Sequence, residues 1–172
     1  EFIRPYLTFA IRDVDPTLID ELAPPQFWTT NYPINLDQAN LKENLQNFSE
    51  TLETDLARAD SIGRPYYLVA QSFSSHNFFL SGPPGFARAN IGIALLYGVD
   101  GIMNFIYNRI FSFEGIRDEE LRTLPATEVW IEEYGRITEI ETLLPSLNPS
   151  GDLQKEEDFF WRLFQTPSGQ NI

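Results

Sequence analysis

Two hydrophobic periods alternate along the chain. Short runs rich in aromatic and β-branched residues read as strands, and longer runs with apolar residues three or four apart read as helices. The first extended run covers residues 4–11, RPYLTFAI, with Pro5 suited to a strand start. A short helical pattern follows over residues 16–22, with Asp15 placed to cap it and Pro16 at its first turn. The second strand is residues 27–34, FWTTNYPI. Leu41, Leu45, Phe48, Leu52 and Leu56 then recur at helical spacing among polar residues and predict a helix over residues 37–62. Gly63 is placed to terminate it, and Arg64-Pro65 prevents continuation.

The third strand is residues 66–73, YYLVAQSF, and the fourth is residues 101–107, GIMNFIY. Between them residues 86–97 form a helix that is apolar almost all round and ends at Gly98. Both strands read as nearly continuous apolar runs, the pattern of parallel strands covered on two faces. A last amphipathic helix begins at Thr127 as N-cap, lines one face with Trp130, Tyr134, Ile137 and Leu144, and stops at Pro145. Strand and helix thus alternate four times. The spacing of the strands leaves room for a crossover each time, so the expected fold is α/β with four parallel βα units over residues 1–147. Residues 148–172 separate as a linker followed by a further element. KEEDFFWRLFQ suits either a short helix carrying Phe159, Phe160 and Leu163 or a strand running into a hairpin turn at Thr166–Asn171.

Composition narrows the function. The 172 residues hold 25 acids against 12 bases and one His, a formal net charge of −13. That balance argues against nucleic acid and against an anionic membrane surface as partners, because both need clustered Lys and Arg. No apolar run approaches the ~18 residues of a membrane span, and no signal peptide opens the sequence. The expectation is a soluble protein, cytoplasmic or secreted. Without cysteine, disulfides, thiolate zinc sites and thiol nucleophiles drop out. No metal or cofactor motif is present. Asp13–Asp15 is too short a signal for a metal, and the prolines of Gly82–Gly85 remove the N–H donors of a phosphate loop.

The stretch from Arg64 to Tyr107 resembles one region of (β/α)8-barrel glycoside hydrolases of the β-galactosidase-like kind. In those barrels the seventh strand is followed by a helix ending in a Leu-Ala-any-aromatic-Gly-any-any-Gly-Ile type of phrase, and the eighth strand comes next. Here the phrase is Ala94-Leu95-Leu96-Tyr97-Gly98-Val99-Asp100-Gly101-Ile102. FWTTNYPI resembles the sixth strand, the helix around Trp130 the eighth helix, and FFWRLFQTPSGQ the first hairpin of a β-domain that follows such barrels. The likeness covers nearly the whole chain and implies the C-terminal half of a barrel. A complete one needs ~250 residues. The missing N-terminal half is then accounted for by an excised fragment, a truncated product, or a homo-oligomer in which two copies complete a barrel and cover the open strand edges.

The resemblance implies carbohydrate as the ligand and glycoside hydrolysis as the parent chemistry, at the C-terminal ends of the strands. Retaining hydrolysis needs two carboxyl groups ~5–5.5 Å apart. The family's acid/base lies on a strand this chain does not contain. Its nucleophile position falls on Gln71, an amide that cannot form the glycosyl ester. Asp13 and Glu114 are the acids nearest the strand ends that could substitute, although Asp13 also suits helix capping and Glu114 a solvated loop. Arg12, Asn31, Tyr32, Asn104 and Tyr107 are the candidate sugar-binding residues, with stacking rings and paired hydroxyl partners. Trp28 and Phe73 fit core positions better. His76 fits a loop residue, since no Ser-His-acid spacing surrounds it. The chain is expected to be catalytically silent, and a binding module or a purely structural half-barrel are the competing readings.

Overall fold

The computed structural model describes residues 8–9, 26–32, 40–75, 84–106, 113–115, 120, 122, 125–140, 142, 144–146, 148–156 and 160–172. Strands β1 (Thr8–Phe9), β2 (Phe27–Asn31), β3 (Tyr66–Gln71) and β5 (Gly101–Phe105) form one parallel sheet in the order β1-β2-β3-β5. The short strand β4 (Ser74–Ser75) leaves the end of β3 and pairs antiparallel with β6 (Phe113–Glu114). Helices α1 (Leu41–Ser61), α2 (Pro84–Tyr97) and α3 (Pro125–Ile140) follow β2, β3 and β5 in the chain. Parallel strands taken up in chain order, with helices following β2, β3 and β5, make an incomplete, unclosed α/β barrel-like arrangement. Among the described residues no further strand pairs with either outer edge of this sheet.

Local chemistry sets the helix ends. The Asn40 side chain accepts from the Lys42 and Glu43 amides at 3.1 and 3.4 Å, so α1 begins at Leu41 and not at residue 37 as the periodicity suggests. At the other end Gly63 (φ 62°) and Gly98 (φ 77°) take the left-handed conformation that closes α1 and α2. Helix α2 starts two residues earlier than expected, with Pro84 in its first turn. Thr127 does not cap α3. It lies within the first turn and is buried, while Leu144 belongs to a separate 3-10 turn, Leu144–Ser146. The expected strands are trimmed at β2, β3 and β5, and the short helix expected over residues 16–22 lies outside the described residues.

The core lies between sheet and helices. Phe27 on β2, Tyr66, Leu68 and Ala70 on β3, Phe48 and Leu52 on α1, Ile91 and Ala94 on α2, and Val129 and Trp130 on α3 form one buried cluster. Helix α2 packs between α1 and α3, which explains why it is apolar on nearly every side. On the outer surface Arg88 of α2 reaches Glu132 at 2.6 Å and Glu133 at 2.8 Å on α3, and Arg136 grips the same two carboxylates. Exposed pairs of this kind contribute at most about 1 kcal/mol each.

The described residues between 148 and 172 form short strands, the strand alternative for KEEDFFWRLFQ. Strands β7 (Asn148–Pro149) and β10 (Phe164–Gln165) pair antiparallel, as do β8 (Gln154–Lys155) and β9 (Phe160–Trp161). The hairpin turn expected after Gln165 forms, with Gly169 (φ 83°) in it and Ile172 returning to Phe164 through two backbone bonds of 3.0 and 2.9 Å. This segment rests on the helix layer. Arg162 donates to the Leu96 carbonyl at the end of α2 (3.2 Å), and Lys155 meets Glu53 of α1 at 2.9 Å. The Lys155 ammonium is the main reason the Glu53 carboxyl sits below its usual range.

Candidate functional site

Alternation along each strand divides the side chains between the helix layer and the inner face of the sheet. Phe27, Thr29 and Asn31 are buried toward α1, which leaves Trp28, Thr30 and Tyr32 on the inner face. The strand register then builds that face in rows. At the bottom Trp28 stands beside Tyr67 and Gly101, with the two rings stacked 4.5 Å apart. A Cβ on Gly101 would lie 2.6 Å from Tyr67 Cδ1, so only glycine lets the ring lie across the start of β5. Thr30, Val69 and Met103 form the next row. Gln71 and Phe105 pair in the top row, at the C-terminal ends of the strands, and Tyr32 follows Asn31 into it.

That top row is aromatic. Tyr32 lies 5.0 Å from Phe73, edge to face, and 6.1 Å from Phe105, stacked, while Phe73 and Phe105 meet edge to face at 5.6 Å. Phe73 is buried, and Phe105 keeps 36% of its surface exposed. Burial pushes the Tyr32 phenol up to about 12, so it stays a neutral hydroxyl at physiological pH. The Gln71 amide is buried and donates to the Phe73 carbonyl at 3.4 Å. Backbone pairing of Glu114 with Ser74 places β6 just beyond this row.

The candidate residues therefore part company. Tyr32 and Gln71 come together, and the β6 backbone that carries Glu114 approaches them. Asn31 lies on the other face, with its amide 3.4 Å from the Phe48 carbonyl of α1. Asn104 also faces the helices and accepts a 2.8 Å hydrogen bond from the Tyr134 hydroxyl of α3. Burial pushes the Tyr134 phenol up to about 12, which keeps it a donor. Arg12, Asp13, His76 and Tyr107 lie outside the described residues. Sequence does not single out Phe105: its signal is an aromatic residue at alternate spacing from Met103 and Gly101, which a core residue shows equally. The even burial expected for the fourth strand fails here too. Met103 is 46% exposed on β5, which is an outer strand of the sheet among the described residues.

Two polar features lie away from the strand ends. Thr29, Asp55 and Tyr66 form a buried network between sheet and α1, with the Thr29 hydroxyl donating to Asp55 at 2.7 Å and meeting the Tyr66 hydroxyl at 2.6 Å. Burial, and then the Asp55 carboxylate, raises the Tyr66 phenol far above its ordinary value. A cavity of about 210 Å³ opens on the flank of α1, lined by Asn47, Glu50, Thr51, Thr54, Asp55 and Arg58. Neither feature touches the aromatic row. Among the described residues no group of three His, Cys, Asp or Glu side chains is placed to hold a metal ion, and no helix is long and apolar enough to cross a membrane. Comparison with protein-family models, with curated proteins and with solved structures finds no match to the chain.

Proposed function

We propose that the chain is a glycoside-hydrolase-like half-barrel that binds carbohydrate at the C-terminal ends of its strands and does not hydrolyse it. The observation that carries this reading is the aromatic row of Tyr32, Phe73 and Phe105, with the Phe105 ring open to solvent. The apolar face of a pyranose stacks on such a ring, and the Tyr32 hydroxyl offers a neutral hydrogen-bonding group beside it. Gln71 in place of a carboxylate supports binding without turnover, since an amide forms no glycosyl ester. Calorimetry against a panel of oligosaccharides tests the reading. Phe105→Ala is expected to weaken binding by about tenfold or more, the loss of ~1.4 kcal/mol of stacking. Arg88→Ala, on the outer helix surface, is expected to leave it unchanged. Equal affinity of wild type and Phe105→Ala sinks the proposal, and so does turnover of chromogenic glycosides.

A second reading rests on Met103, a large apolar side chain 46% exposed on the inner face. Two copies joined by β5 of one against β1 of the other would make eight parallel strands, the number whose interior side chains just fill. Light scattering is expected to give twice the 19.8 kDa chain mass. A stable species at the single-chain mass removes this reading and leaves the sugar site to be judged alone.

A further inference from the structure

We infer that the described residues between 148 and 172 form a clasp over the C-terminal end of α2 and the flank of α1, and that the clasp opens as one body while the sheet and its helices stay folded. This inference is independent of the sugar reading. It concerns the opposite end of the strands, where α2 turns into β5.

The clasp is tied to itself by backbone. Strand β7 pairs with β10 and β8 pairs with β9. The Ser150 amide donates to the Leu163 carbonyl at 2.9 Å, and Phe164 and Ile172 exchange two further bonds of 3.0 and 2.9 Å. Among the described residues none of these strands shares a ladder with the β1-β2-β3-β5 sheet. A segment with ladders of its own makes and breaks them together, and that is how a local unit opens without the rest.

Side chains fasten the clasp to the helix layer. The last carbonyls of α2 have no partner within the helix. The Val99 amide donates to the Ala94 carbonyl at 3.2 Å and the Gly98 amide to the Leu95 carbonyl at 3.0 Å. The Leu96 carbonyl receives the Arg162 guanidinium at 3.2 Å, a cation where the helix dipole favours one. The same guanidinium donates to the Gly151 carbonyl at 3.0 Å, so one side chain ties both arms of the clasp to α2. Alternation along the strand turns Arg162 inward, while Trp161 and Leu163 on either side of it are 44% and 42% exposed.

Lys155 makes the second fastening. Its ammonium lies 2.9 Å from the Glu53 carboxylate of α1 and 5.7 Å from the centre of the Tyr97 ring of α2. The Tyr97 hydroxyl donates to that carboxylate at 3.0 Å, so the clasp closes over a contact between the two helices. Leu153 adds an apolar foot against the core cluster. Opening the clasp therefore frees the Leu96 carbonyl and uncovers the Tyr97 ring, and it leaves the sheet ladders intact.

Amide hydrogen exchange of the whole chain, read by mass spectrometry, tests the inference. In wild type, peptides from residues 148–156 and 160–172 are expected to exchange at one common rate, about tenfold or more faster than peptides from β2 and β3. Arg162→Ala is expected to speed exchange in both arms by a further factor of about ten and to leave β2 and β3 within about twofold of wild type. Lys155→Met is expected to speed both arms by about twofold to fivefold. Arms that exchange at different rates, or a clasp no faster than β2 and β3, overturn the inference in wild type alone, whether or not a variant folds. Equal acceleration of clasp and sheet in either variant, or no acceleration of the clasp in Arg162→Ala, overturns it as well.

Discussion

Replacing Phe48 with alanine is expected to lower the stability of the chain by about 3–5 kcal/mol. Phe48 is fully buried on α1, inside the cluster that joins α1 to β2, β3 and α2. Truncation removes the transfer energy of the ring and leaves a cavity that sheet and helix backbones cannot close. The same residue's backbone carbonyl accepts the Asn31 amide, so a shift of α1 into the cavity would stretch that contact as well. Urea or guanidinium denaturation followed by circular dichroism measures the loss. Phe48→Leu, which keeps most of the volume, is expected to cost less than half as much. Equal stability of Phe48→Ala and wild type would mean that α1 does not pack on the sheet as described.

Thr29→Val is expected to cost about 2–4 kcal/mol even though it changes almost no volume. The Thr29 hydroxyl has one proton, and the 2.7 Å contact gives it to the Asp55 carboxylate. The Tyr66 hydroxyl, 2.6 Å away, then serves as donor to Thr29 and stays protonated because burial and Asp55 both oppose its ionisation. Valine takes a donor from a buried carboxylate and an acceptor from a buried phenol at once. Thr29, Asp55 and Tyr66 are at most 6% exposed, so bulk solvent does not freely replace the lost hydrogen bonds. Thr29→Ser keeps the hydroxyl and is expected to lose only ~1 kcal/mol, the value of one buried methyl group. If serine and valine are equally destabilising in denaturant titrations, the methyl group matters and the network does not.

These two positions illustrate how unevenly the fold can be read from residues. Phe48 is legible, as one member of a helical stripe with Leu45 and Leu52. Asp55 is not. In sequence it is one more acid on a helix that also carries Glu50, Glu53 and Asp60, and only the approach of Thr29 and Tyr66 from two strands marks it as buried. The candidate site divides in the same way. Asn31 and Tyr32 are neighbours in sequence, and both residue types suit sugar binding. A strand sends them to opposite faces, so that Asn31 bonds to α1 and Tyr32 joins Phe73 and Phe105. Asn104 and Phe105 separate in the same manner, and Phe105, which the sequence does not mark, is the one with its ring in the aromatic row.

What the sequence determined by itself is the order of strands and helices and the places where helices stop. Those are local matters: Gly63 and Gly98 relieve a positive φ, and the Asn40 side chain satisfies two helix amides. It also set the strongly acidic charge and, by bringing in no cysteine, the absence of thiol chemistry. Which face of each strand meets the helices, how the strands register, and which aromatic ring is left open to solvent were decided by the tertiary structure. A period-two pattern of apolar residues is the same whichever face is turned inward. The choice is made only when strands far apart in the chain pair and when one of them, β5, is left at the outside of the sheet.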